Sequence, residues 1–174
     1  PRRLSYGDMQ NLDDGKYSGD SPPREILLRL TGDMETYNWT FNNVPLSRAD
    51  KILVRRGETI RFKFVNETMM HHPLHLHGHF FRVLTGEGSG PYKHTVDVSP
   101  MTTVVIEFLA NEEKDWFFHC HNLYHAKTGM ARVMRYDDYS GSELLDTAKK
   151  SSPDIADNDY YFAGEAHLLN DFTR

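Results

Sequence analysis

The sequence predicts an all-β domain, a sandwich or barrel of about eight short strands. Three observations carry the prediction. Short segments alternate apolar and polar side chains, clusters of Gly, Pro, Asn and Asp separate them, and no periodic helical pattern is needed before residue 138.

Residues 1–24 are polar and rich in turn formers, including Gly7, Gly15, Gly19, Pro22 and Pro23, and read as an irregular linker. Residues 25–31 suit a strand with Ile26, Leu28 and Leu30 on one face. Thr36 to Phe41 is aromatic and polar, and Asn42–Asn43 offers a turn. Ile52 to Arg55 is a short strand. Thr59 to Val65 alternates cleanly, with Ile60, Phe62 and Phe64 inward and Arg61 and Lys63 outward. Phe80 to Leu84 is apolar, and Gly86 to Pro91 is a loop. His94 to Val98 and Thr103 to Leu109 follow, the latter with Val104, Ile106 and Phe108 on one face. Trp116 to His121 and Ala131 to Tyr136 complete the strands. The domain therefore spans 25–137. Residues 138–174 form an acidic tail without a motif, in which Ser142 to Lys150 suits a helix and Asp159 to Leu169 a strand.

A chain of 174 residues fits one domain with extensions, and such a chain buries roughly 70% of its unfolded surface. A net charge of −5 and the absence of a Lys/Arg cluster interleaved with aromatics argue against nucleic-acid binding. No apolar run approaches the ~18 residues of a membrane span. The chain opens on Pro1 without a signal-peptide pattern, and both ends read as cuts through a longer protein.

Chemistry concentrates in two runs, HHPLHLHGH at 71–79 and HCHNLYHAKTGM at 119–130, which hold eight of the ten histidines and the only cysteine. On a strand, His119 and His121 point one way and Cys120 the other. A thiolate, a nearby imidazole (His125) and a weak thioether (Met130) are the ligand types of a blue-copper electron-transfer centre. Such a centre needs a second imidazole, for which His72 is the best candidate. His75 and His77 form another in-phase pair. With His119 and His121 they can converge on a second metal centre, leaving Cys120 between the two. A lone cysteine is more often a small buried hydrophobe, but flanking histidines on both sides reverse that expectation.

These strings resemble the C-terminal cupredoxin domain of the multicopper oxidases. REILLRLTGDMETYNWTFNN (24–43), VNETMMHHPLHLHG (65–78) and KHTVDVSP (93–100) are most like the periplasmic copper-resistance branch of bacteria. The resemblance implies a Greek-key cupredoxin fold. It implies type 1 copper on His72, Cys120 and His125 with Met130 axial, a type 2 ligand in His75, and type 3 ligands in His77, His119 and His121. Cys120, His119 and His121 are the candidate catalytic residues. The implied activity passes electrons from a reducing substrate, Cu(I) among the candidates, to a trinuclear copper site that reduces dioxygen to water. The other half of the trinuclear ligands belongs to an N-terminal cupredoxin domain, whose HxWH-type motif this chain lacks. A partner domain of the same protein, or a second copy, must supply them.

Two other readings compete. A non-enzymatic electron-transfer or copper-holding cupredoxin needs only His72, Cys120, His125 and Met130. A cupin-type metalloenzyme accounts for the HxH pairs but leaves Cys120 unexplained, with no glutamate soon after His77. Zinc suits the same imidazoles as a substitute. His71, His79 and His94 are expected beside ligands rather than as ligands, with His79 hydrogen-bonding a carboxylate. His167 reads as an ordinary surface or packing histidine. Met69, Met70 and Met101 read as core or loop residues, with Met69–Met70 a secondary candidate for handling Cu(I). Met9 and Asp13–Asp14 read as solvated linker.

Overall fold

Alternation along Thr59–Asn66 (β4) shows how sequence becomes architecture. Ile60, Phe62 and Phe64 are fully buried, and Arg61 and Lys63 lie on the other face. In the computed structural model, which describes residues 4–11, 22–86 and 90–137, β4 is a central strand of a six-stranded sheet. The order is Trp39–Phe41 (β2), Arg24–Gly32 (β1), β4, Thr103–Leu109 (β9), Phe81–Leu84 (β6) and Tyr92–Lys93 (β7). A second sheet has the order Ile52–Val54 (β3), Ala131–Tyr136 (β11), Asp115–Cys120 (β10), His72–Leu76 (β5) and Thr95–Val98 (β8). β1 pairs parallel to β4 and β3 parallel to β11; the remaining pairs are antiparallel.

Phe118 joins the two sheets. Its ring stacks on Phe41 at 5.2 Å and on Phe64 at 5.6 Å, and meets Phe62 at 5.5 Å. Aromatic rings at these separations contribute about 0.5–1.5 kcal/mol per pair beyond their burial.

The predicted fold class holds, with finer divisions. Eleven strands are present among the described residues, because β2, β3 and β7 are too short to show a period. His94 is a bend between β7 and β8. Asn42 and Asn43 form the predicted turn with φ of 52° and 61°, a left-handed conformation that asparagine tolerates. One expectation fails. The domain contains a helix, Leu123–Thr128 (α1). Its six residues are too few to establish a 3.6-residue period, and it is defined by its ends. Asn122 caps it by accepting from the Tyr124 N–H at 3.2 Å. Gly129 closes it at φ 130°, where a Cβ would lie 2.6 Å from the Pro45 Cβ. Asp13–Asp14, His167, the Ser142–Lys150 helix and the Asp159–Leu169 strand lie outside the described residues.

Candidate metal centre

The strand period separates two groups of histidines. On β5, His72 shares its phase with Leu74 and Leu76, and all three are fully buried. His75 takes the opposite face. On β10, Phe118 and Cys120 point into the core while Phe117 and His119 point outward. Register completes the arrangement: Cys120 pairs with Leu74 and His119 with His75.

The inner group is His72, Cys120 and His125. His125 comes from α1, directly after β10, and is held under Trp39 with ring centroids 4.6 Å apart. The Cys120 Sγ lies 3.9 Å from His72 Nδ1 and 3.7 Å from His125 Nδ1, and the two Nδ1 atoms are 3.1 Å apart. A metal bound at roughly 2.0–2.3 Å in a trigonal plane asks for donor separations of roughly 3.5–3.8 Å. The trio fits such an ion with small adjustments. Among the described residues it is the group of His, Cys, Asp or Glu whose donor atoms all fall within 4.8 Å. Met130 is fully buried beside it. Its carbonyl accepts from the Cys120 N–H, and its own N–H donates to the His125 carbonyl, both at 3.0 Å.

Electrostatics favour a neutral pocket until metal enters. Burial pushes the Cys120 thiol up to about 12, with the Asn122 N–H pulling the other way and Asp97 adding to the rise. Burial, then the neighbouring His125 and His71, lowers His72 to about 3. Burial also lowers His125. Metal ligation requires neutral imidazole and thiolate. The imidazoles already meet that condition, whereas the thiol must lose its proton.

The outer group is His75, His77, His119 and His121. Ring centroids lie 4.5 Å apart for His75–His77, 5.8 Å for His75–His119, 5.1 Å for His77–His119 and 5.9 Å for His75–His121. His77 and His121 fall just beyond the strand ends. His77 stays in place because its N–H donates to the Phe117 carbonyl at 3.0 Å. The His75 Nδ1 donates to the His94 carbonyl at 2.7 Å, and the His119 Nδ1 to the Cys120 carbonyl at 2.8 Å. A carbonyl only accepts, so Nδ1 carries the proton in both rings and Nε2 keeps its lone pair. Burial lowers His77 to about 4, with His75 and His121 adding. It lowers His119 to about 4 against the hydrogen bond to the Cys120 carbonyl. These four imidazoles share one face without closing around a single point as the inner trio does.

The remaining histidines sit beside these groups. His71 is exposed and contacts Asp97 at 2.8 Å. His94 supplies the carbonyl that orients His75. His79 differs from expectation: its partners are the His77 carbonyl at 2.8 Å and the Tyr136 hydroxyl at 2.6 Å, not a carboxylate. It is buried between the sheets, where a hydroxyl satisfies the second nitrogen without burying a charge. Met69 and Met101 are exposed loop residues, and Met70 packs against the core. Sequence reasoning overlooked Trp39, Asn66 and Thr68. The run Asn66-Glu67-Thr68, two turn-forming side chains just before the first histidine run, was the available signal.

Comparison with known proteins gives the family. Residues 20–140 match the family model described as multicopper oxidase. The chain is 38% identical over 136 residues to copper resistance protein A of Escherichia coli, covering 78% of this chain and 22% of that protein. It is 40% identical over 116 residues to the multicopper oxidase MmcO of Mycobacterium tuberculosis, covering 66% of this chain and 23% of that one. It thus spans under a quarter of the length of these relatives. Among solved structures, the laccase of Pediococcus acidilactici superposes with a TM-score of 0.62 at 20% identity, covering 79% of this chain and 31% of that one. The iron-import oxidase Fet3p gives 0.60 at 16% identity, covering 86% and 41%. These two likenesses concern the fold, which is that of a cupredoxin domain. The family model matched over residues 20–140, together with the 38% identity to copper resistance protein A, shows that this chain belongs to the multicopper oxidase family.

Proposed function

We propose that residues 25–137 form the domain of a multicopper oxidase that holds type 1 copper and half of a trinuclear copper site. His72, Cys120 and His125 would hold type 1 copper, with Met130 as its fourth and weaker ligand. His75 is the type 2 ligand, and His77, His119 and His121 are type 3 ligands. Copper held there would supply one-electron chemistry toward a reducing substrate, and the trinuclear site would supply the reduction of dioxygen to water. The chain's own contribution is to hold two sets of donors on opposite faces of one strand. His119 and His121 are each one peptide bond from Cys120, so a short covalent path joins the faces. The observation carrying this reading is the buried Cys120 thiol with two imidazole Nδ1 atoms at 3.7 and 3.9 Å, back to back with the His75–His119 pair.

The relatives named copper resistance protein A support a role in copper tolerance; to that reading we add Cu(I) as a substrate and a periplasmic location as proposals. The open outer group supports a partner domain, from the same protein or a second copy, facing His75, His77, His119 and His121. Dioxygen and the reducing substrate then meet the assembled protein. That incompleteness also favours a second reading for the isolated chain, a copper-holding electron-transfer domain without oxidase activity. Zinc is a competitor for its imidazoles in preparation.

Reconstitution with Cu(II), followed by visible and EPR spectroscopy with copper counted per chain, tests the assignment. An intense blue thiolate-to-copper band, lost in Cys120→Ser, is the expected result. Bound copper without that band overturns the ligand set. Dioxygen consumption by the isolated chain would overturn the need for a partner.

A further inference from the structure

We propose that Thr68 and Asn66 are positioning residues that fix His72 in the tautomer whose Nδ1 offers a lone pair, setting this imidazole for metal before metal arrives. The inference rests on the reading of His72 as an inner ligand.

The argument follows donors and acceptors whose identity is fixed. The Asn66 Oδ1 lies 2.9 Å from the Thr68 backbone N–H, which only donates. The Asn66 Nδ2 lies 2.8, 3.0 and 3.0 Å from the carbonyls of Met70, Val98 and Ser99, which only accept. The amide therefore has one orientation. Its Oδ1 is also 2.8 Å from the Thr68 Oγ1, nearer than the Met70 carbonyl at 3.4 Å, and both only accept, so the threonine hydroxyl spends its single proton on this side. Only lone pairs remain on that oxygen. One accepts the Met70 N–H at 3.2 Å, and the other faces the His72 Nε2 at 2.7 Å. His72 must donate from Nε2, which leaves Nδ1 of the neutral ring unprotonated. Asn66 is 2% and Thr68 4% exposed, so water does not compete.

His125 is held in the opposite sense. Its Nε2 lies 3.3 Å from the Asn122 Nδ2, a donor whose orientation is set by the Tyr124 N–H on Oδ1. In the metal-free pocket His125 thus carries its proton on Nδ1 and donates it to His72 Nδ1 across 3.1 Å. His72 is the preset ligand, and His125 is the one that must rearrange.

Ring nitrogen shifts from long-range proton–nitrogen correlation spectra of the metal-free chain test the lock directly. His72 is expected as the Nε2–H tautomer and His125 as Nδ1–H; an Nδ1–H tautomer at His72 overturns the proposal. Titration with Cu(II) alone then compares Thr68→Val with Thr68→Ser. The valine variant should lose 10–100-fold in copper affinity and shift the type 1 EPR spectrum, as removal of a group that orients a metal ligand does. Serine, which keeps the hydroxyl, should restore both. Unchanged affinity and spectrum in the valine variant overturns the lock while leaving the ligand set standing. A wild-type chain that forms no blue band overturns the ligand set, and the lock's purpose with it. The tautomer measurement needs no variant, so a valine variant that fails to fold leaves the test intact.

Discussion

His75 and His119 stand directly opposite one another across the β5–β10 pair, one register step from Leu74 and Cys120 on the sheet's inner face. The two groups of proposed metal donors are therefore separable by mutation. Double substitution His75→Ala and His77→Ala should leave the blue band and one copper per chain intact while removing copper held by the outer face. Visible spectra with metal counting check this. Loss of the blue band would show that the two faces do not act independently.

Of the proposed inner ligands, Cys120 is the one that must lose a proton to bind at neutral pH, since burial raises the thiol to about 12 and holds His72 near 3. Binding of Cu(II) at the inner site at pH 7 should release about one proton per copper. Dye-monitored titration in weak buffer measures it. Cys120→Ser, lacking the thiol, should release none at this site.

Stability of the metal-free chain should fall on mild acidification. His72 and His119 are lowered from 6.5 to about 3 and about 4. Below pH 6.5 the unfolded chain binds protons that the folded chain refuses. Stability is therefore full above the unfolded value and declines as pH drops, by about 1.4 kcal/mol per unit for each such group. The decline from His119 ends near pH 4 and that from His72 near pH 3. Thermal melts between pH 7 and 4 check this, and a constant Tm would contradict it.

Gly78 links the first histidine run to the core. Its φ is +71°, and a Cβ there would sit 2.4 Å from ring atoms of Trp116. Gly57, at φ +85°, has open space around it. Gly57→Ala should cost about 1–2 kcal/mol, the left-handed backbone penalty alone. Gly78→Ala should cost more, because Trp116 must also move, and it should disturb the adjacent His77. Denaturant midpoints rank the two.

Much of this was legible in the sequence because strand parity is simple. The alternation of β4 placed Ile60, Phe62 and Phe64 inside, and the same rule placed Cys120 opposite its flanking histidines. The resemblance then paired His72 with Cys120 across 48 residues of chain, which periodicity alone does not do. What escaped was shorter than a period or depended on side-chain hydrogen bonds. α1 spans six residues. Trp39 reaches His125 through a three-residue strand. Thr68 acts on His72 only through a hydroxyl that the fold brings to the ring. The expectation for His79 failed because Tyr136, remote in sequence, supplies the hydroxyl that takes the carboxylate's place.

The hydrogen bond from the Cys120 N–H to the Met130 carbonyl pinches the chain at the start and end of the segment that carries Cys120, His125 and Met130. Three of the four proposed inner donors thus ride on a cassette with a closed neck, which touches the six-stranded sheet where His125 and Thr128 meet Trp39. Residues such as Leu123 and Tyr124, both exposed on its outer side, are free to vary without unpairing a strand. Exchanging this cassette between domains of the same fold would change three of the proposed inner donors at once while keeping the β10–β11 and β10–β5 pairs, provided the seat on Trp39 is kept.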